Sequence, residues 1–342
     1  MRTLAIALTL LVAPAFCTAA PLPTADELRS LFVVENPPLD SHLFGALLIR
    51  NQLDVRPSLA CDLRKAHPTV LILSDQEGGV VRNLKNQEAP PPAWDAAVMT
   101  PAAFSAQVER AGKVLVNACI DVDNAPVAEV FDKDRSYSND PRQAAAIAAR
   151  FANAMQSAGV APVLKHYPGK TAACRPVSSL PGFELRKGSH EVERCDGSAA
   201  AVWAMADAFP LNAAPIVMLS NRIYPSVSPL PAVLDPVYAR HLRAAGFRGL
   251  VMSDALWEVS NRPEAVVQAL KSVDIVVVST PRRVDEAIPR IIAALQTGAL
   301  DPDDMRAKID RVAAFKTAAI ARRKTSPIDF FSSLGLIHPD RH

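Results

Sequence analysis

Five apolar runs in this sequence lead into side chains that can bind a polar ligand or move a proton. "TVLILSD" ends at Asp75, "CIDVDNAPV" contains Asp123 and Asn124, and "GVAPVLKH" ends at Lys165 and His166. "APIVMLS" leads to Ser220 and Asn221, and "GLVMSDA" carries Ser253 and Asp254. Carboxylates, an amine and an imidazole gathered in one place are the parts of an acid–base or nucleophilic site. A lone aspartate at a strand end is more often a structural cap, but five such ends favour a shared site. In "SDQEGG" two carboxylates are followed by Gly78 and Gly79, which let backbone approach a ligand closely or adopt positive φ. The plain alternative is a tight turn capped by Asp75.

These ends converge only if the runs are neighbouring parallel strands. Continuous apolar runs bounded by glycine read as strands covered on both faces, and "GALLIR" and "VDIVVVS" extend the set. Between them lie alanine-rich segments with helical spacing, such as "PRQAAAIAARFANAMQSAG" and "PEAVVQALKS". Pro141 and Pro263 suit a first helical turn, and Gly159 suits a helix end. Repeated strand-then-helix predicts a single-domain (β/α)8 TIM-like barrel over residues 21–342, with a doubly wound sheet as the alternative. In a barrel the strand ends meet on one face. "DPDDMRAKIDRVAAFKTAAIARRK" reads as a closing helix packed outside.

Composition excludes several classes of function. The 37 basic residues against 35 acidic ones give no excess to track a phosphate backbone, so no nucleic acid is expected. Residues 1–20 carry Arg2, an apolar stretch from Leu4 to Val12 and small residues at the end, the outline of a signal peptide. No later stretch reaches the ~20 apolar residues of a membrane span. The expectation is a soluble monomer, periplasmic or secreted. Cys17 falls before the expected cut, which leaves Cys61, Cys119, Cys174 and Cys195. In an oxidising compartment a bridge between Cys174 and Cys195 is expected, since they bracket one polar segment; Cys61 and Cys119 are a second bridge or buried thiols. Histidines are scattered and "HEVER" lacks a second histidine one turn on, so no metal is expected. "QEGGVVRN" lacks both phosphate-binding glycine patterns, so no cofactor is expected either.

"SDQEGG", "DKDRSYSNDP", "APVLKHYPGK" and "GFRGLVMSDAL" resemble, in order and spacing, the family 3 glycoside hydrolases, over roughly residues 25–325. The likeness is greatest to the short, single-barrel β-N-acetylglucosaminidases of bacterial cell walls. It implies a carbohydrate partner. It also implies that Asp254 is the nucleophile of a covalent, retaining mechanism and that Asp75 takes sugar hydroxyls in a fork. Arg135, Lys165 and His166 match the family's donors to the same ring. Arg82 is the nearest candidate for a further arginine that usually lies one residue on, where this chain has Asn83.

The acid–base part of the pattern is broken. After "KHYPG" the family continues with H-G and a loop bearing D-S-H; here Lys170 and Thr171 follow, and the usual spacing falls on Pro176 and Ser178. Neither can move a proton at neutral pH. Three readings follow. His190, with Glu191, Glu193 or Asp196 as partner, supplies the acid–base group from a rebuilt loop; another carboxylate such as Glu184 does so; or the protein binds sugar without hydrolysing it.

Overall fold

A computed structural model describes residues 21–35, 44–50, 52–53, 56–183, 185 and 192–323. The expected signal peptide, Glu184, His190 and Glu191 lie outside the described residues. Eight parallel strands form a closed barrel in chain order. They are β1 (Phe32–Glu35), β2 (Ala46–Leu48), β3 (Leu71–Ser74), β4 (Val122–Asp123), β5 (Ala161–Tyr167), β6 (Ile216–Leu219), β7 (Leu250–Ala255) and β8 (Ile275–Val278). β8 closes onto β1 through Phe32–Val276, Val33–Val277 and Val34–Val278. β1 escapes the sequence patterns because its apolar run starts just after a short helix, Ala25–Arg29, and is cut off by Glu35. β4 is shorter than its apolar run, since Pro126 has no N–H to continue the ladder.

Helices follow the strands from β2 onward: α1 (Leu59–Ala66), α2 (Pro101–Asn117), α3 (Pro141–Ala158), α4 (Ala199–Asp207), α5 (Pro236–Ala244), α6 (Pro263–Ala269), α7 (Pro281–Gln296) and α8 (Pro302–Arg322). The ends of α3 follow its sequence signals. Asp140 accepts the Arg142 N–H at 2.8 Å, Pro141 fills the first turn, and Gly159 leaves the helix at φ 109°. In α8, Asp301 likewise accepts the Asp303 N–H at 2.9 Å. The lower barrel interior is lined by Val33, Leu71, Val122 and Ile216, and Val312 and Phe315 of α8 lie against it.

Two buried aspartates pin the outer helices to the amino end of the barrel. Asp121, before β4, accepts the Ile72 N–H of β3 at 2.9 Å and pairs with Arg64 of α1 and Arg323, each at 2.7 Å. Asp274, before β8, accepts the Val251 N–H of β7 at 2.8 Å and pairs with Arg243 of α5 and Arg311 of α8, each at 2.7 Å. Each carboxylate thus satisfies a strand amide and neutralises two partly buried guanidinium groups. Removing it leaves those groups unpaired. Asp274→Ala is expected to lower unfolding free energy by about 3 kcal/mol in a denaturant titration, whereas an effect below about 0.5 kcal/mol would refute this role.

Candidate active site

The turn after β3 owes its shape to Gly78 and Gly79, which have φ of 91° and 60°. A Cβ on Gly78 would sit 2.4 Å from the Pro90 carbonyl oxygen, so the close approach is to the chain's own Pro90–Pro91 backbone. This fold-back delivers Asp75 and Glu77, both buried, to the carboxyl end of the barrel.

There Lys165 of β5 lies 2.5 Å from Glu77 and 3.6 Å from Asp75. Arg135 grips Glu77 with two bonds, Nε to Oε2 at 2.9 Å and Nη2 to Oε1 at 2.7 Å. Burial alone would raise the Glu77 carboxyl, but Lys165 and Arg135 outweigh it and hold it down to about 2 from 4.5. Burial also works against the Lys165 ammonium, and Glu77 and Asp75 more than offset that, so Lys165 stays charged. Arg50, at the end of β2, reaches Asp75 at 3.0 Å and Glu35 at 3.5 Å, with its guanidinium 5.7 Å from the Trp257 ring centroid.

His166 faces the other half of the cluster. Its Nδ1 lies 3.0 Å from Glu129 and its Nε2 lies 3.9 Å from Asp254 Oδ2. The Lys165–His166 peptide bond is cis. Glu129 is fully buried, and Arg222 first, then His166, hold its carboxyl far below the usual range against the cost of burial. Arg222 Nη1 meets Glu129 at 2.5 Å, and its Nε donates to Glu193 at 2.6 Å. Lys170 meets the other oxygen of Glu193 at 3.1 Å. A chain of polar contacts therefore runs from Asp254 through His166, Glu129, Arg222 and Glu193 to Lys170.

Glu193 sits on a small hairpin, Cys174–Pro176 paired antiparallel with Glu193–Cys195. The expected Cys174–Cys195 disulfide joins its arms, and a second disulfide joins Cys61 to Cys119. Main-chain bonds of 2.8 Å, from Cys195 N to Ile223 O and from Ile223 N to Glu193 O, dock the hairpin beside Arg222. Pro176 and Ser178, where the family pattern calls for its dyad, are both exposed. Asp196 is drawn to Arg175 at 2.6 Å and Arg194 at 3.0 Å on the surface.

Of the residues singled out from sequence, the structure brings Asp75, Arg135, Lys165, His166 and Asp254 together. Arg82 does not join them. It is exposed on the second arm of the glycine turn, while Asn83 points inward and donates to Ile49 O and Ser74 Oγ at 3.2 Å each. Alternation along an extended arm sends successive side chains to opposite faces. Arg50, Glu129 and Arg222 carry no role in the sequence motifs, although each falls within or just after a strand-like run.

Residues 41–315 match the glycosyl hydrolase family 3 N-terminal domain. The chain belongs to this family of glycoside hydrolases. A β-hexosaminidase of Stenotrophomonas maltophilia (strain K279a) is 28% identical over 270 residues, covering 71% of this chain and 77% of its own. One from Xylella fastidiosa (strain 9a5c) is 27% identical over 324 residues, covering 84% and 94%. The crystal structure of a family 3 glycosyl hydrolase from Mycobacterium smegmatis superposes with TM-score 0.74 at 24% identity, covering 87% of this chain and 98% of that one. The β-N-acetylglucosaminidase of Thermotoga maritima gives TM-score 0.73 at 23% identity, over 90% and 70%. The structural likenesses establish the barrel; the roles within it rest on the cluster's own chemistry.

Because Glu77 is held down to about 2 when folded and titrates near 4.5 otherwise, its stabilising contribution is complete above about 4.5. It is lost as pH falls through about 2. Wild type is expected to lose about 3 kcal/mol more than Glu77→Gln between those limits in pH-dependent denaturant melts. Parallel curves for the two proteins would contradict the assignment.

Proposed function

We propose that the protein is an exported retaining β-glycosidase acting on β-linked N-acetylglucosamine or a related cell-wall glycoside, with Asp254 as the covalent nucleophile. The observation that carries this reading is the setting of Asp254. Its side chain is 15% exposed, against 9% for Asp75, 6% for Glu77 and 0% for Glu129. One of its oxygens accepts the Ala255 N–H at 2.7 Å, and the other faces His166 rather than a lysine or arginine. In the reaction this oxygen attacks the anomeric carbon while an acid protonates the departing oxygen. Water, activated by the same group as base, then releases the sugar with retained configuration. Asp75, with Lys165 beside it, receives the ring hydroxyls. His190, between Cys174 and Cys195 in the sequence, supplies the acid–base group. The names of the curated relatives support the N-acetylhexosamine assignment, and the amino-terminal pattern supports export.

A second reading is a sugar-binding relative that has lost turnover, and Pro176 and Ser178 at the counted dyad positions favour it. Losing a general acid or base typically slows a reaction by ~10² to 10⁴-fold. A chromogenic N-acetyl-β-glucosaminide with an activated aglycone separates the two, because a good leaving group needs little protonation. Release is expected, and Asp254→Ala should abolish it without lowering the melting temperature by more than a few degrees. Absence of release from wild type, together with retained binding of N-acetylglucosamine, would establish the second reading.

A further inference from the structure

Asp123 closes β4 among the charged groups of the cluster, yet it belongs to none of the ion pairs described above. It is fully buried. Its Oδ1 accepts the Gln76 N–H at 2.8 Å, which places it directly beneath the Asp75–Gln76–Glu77 turn. Its Oδ2 is buried without a hydrogen-bond partner. The groups whose charges act on it are Asp75 and Glu77 from the turn and Lys165 from β5, and Tyr137 senses its charge in return. An ionised Asp123 would be a third carboxylate beside two others, with one oxygen desolvated and unbonded. A neutral acid leaves only a hydroxyl there, and the carbonyl oxygen still holds the turn.

We propose that Asp123 is a positioning residue that stands under the sugar clamp as a neutral carboxylic acid, and that its ionisation sets the upper pH limit of ligand binding. Burial first, then Asp75 and Glu77, push its carboxyl up to about 8 from 3.8, against the Gln76 N–H and the Lys165 ammonium. On losing its proton, Asp123 competes with Glu77 and Asp75 for Lys165 and repels the turn it supports. The clamp then loses its charge balance. The second half of the proposal rests on the glycosidase reading; the protonation state does not.

Asp123→Asn is the discriminating variant, because its amide oxygen can accept the Gln76 N–H while its NH2 replaces the acid hydroxyl. The folded protein binds a proton on Asp123 that the unfolded chain releases, so wild type loses stability as pH rises from about 4 to about 8. The melting temperature of Asp123→Asn relative to wild type is therefore expected to climb across that window and level off above it. A constant difference overturns the neutral acid. If the variant does not accumulate, infrared spectroscopy of wild type labelled with ¹³C-aspartate decides: a protonated-carboxyl band that vanishes as pH passes about 8 supports the proposal, and its absence at neutral pH refutes it.

Binding of N-acetylglucosamine, measured by calorimetry, tests the pH limit. Between about pH 7 and about pH 9.5 wild type is expected to lose about fivefold to thirtyfold in affinity, since one deprotonation near 8 costs up to tenfold per unit. Asp123→Asn should bind as wild type does near neutrality and change less than about twofold over the same range. An equal alkaline loss in both proteins overturns the pH limit. If wild type binds no N-acetylglucosamine at either pH, the pH limit and the glucosaminide reading fail together, while the melting data still judge the proton on Asp123.

Discussion

Lys165 lies almost entirely out of solvent with its ammonium against Glu77 and Asp75, and the barrel mouth is built around that buried charge. An unpaired ammonium at this depth would lose its proton or destabilise the fold. Glu77 must therefore be ionised, and it in turn receives the two-bonded grip of Arg135 from the loop after β4. Asp75 is left with its oxygens shared between Lys165 and Arg50. Each charge is compensated by residues on other strands, so the mouth is pre-organised before a ligand arrives. Such fixed dipoles and charges stabilise developing charge without having to reorganise during a reaction.

The two ends of the barrel use carboxylates to opposite effect. At the amino end, Asp121 and Asp274 are saturated by strand amides and helix arginines, which satisfies every strong acceptor direction and holds α1, α5 and α8 against the strands. At the carboxyl end, Asp254 keeps more exposure than Asp75 and Glu77 and faces an imidazole. Ligand chemistry belongs at the carboxyl end because the loops that follow the strands meet there, whereas the amino end is free to serve stability.

The Cys174–Cys195 hairpin adds an element whose effect reaches the core of the site. Its Glu193 takes the Arg222 Nε, and Arg222 also holds Glu129, which orients His166 toward Asp254. A surface hairpin is thus tied through two buried ion pairs to the imidazole beside the candidate nucleophile. The disulfide holds the two arms together, which reduces the entropy they lose on docking beside Arg222.

Strand-by-strand organisation was legible in the sequence because buried parallel strands leave continuous apolar runs and helix ends carry local signals, as at Asp140, Pro141 and Gly159. The same locality made Asp75, Lys165, His166 and Asp254 readable, since each sits where an apolar run gives way to a polar ending. β1 left no such mark, because its apolar run follows directly on a short helix and is cut off by Glu35. Only the tertiary structure decided which charges share a site. Arg135 reaches Glu77 across 58 positions and Arg222 reaches Glu129 across 93. Chain spacing carries no trace of such pairings, because they arise when barrel closure brings strand ends together. It also decided the opposite fates of Arg82 and Asn83: adjacent residues on an extended arm face opposite ways, and the fold alone says which way is inward.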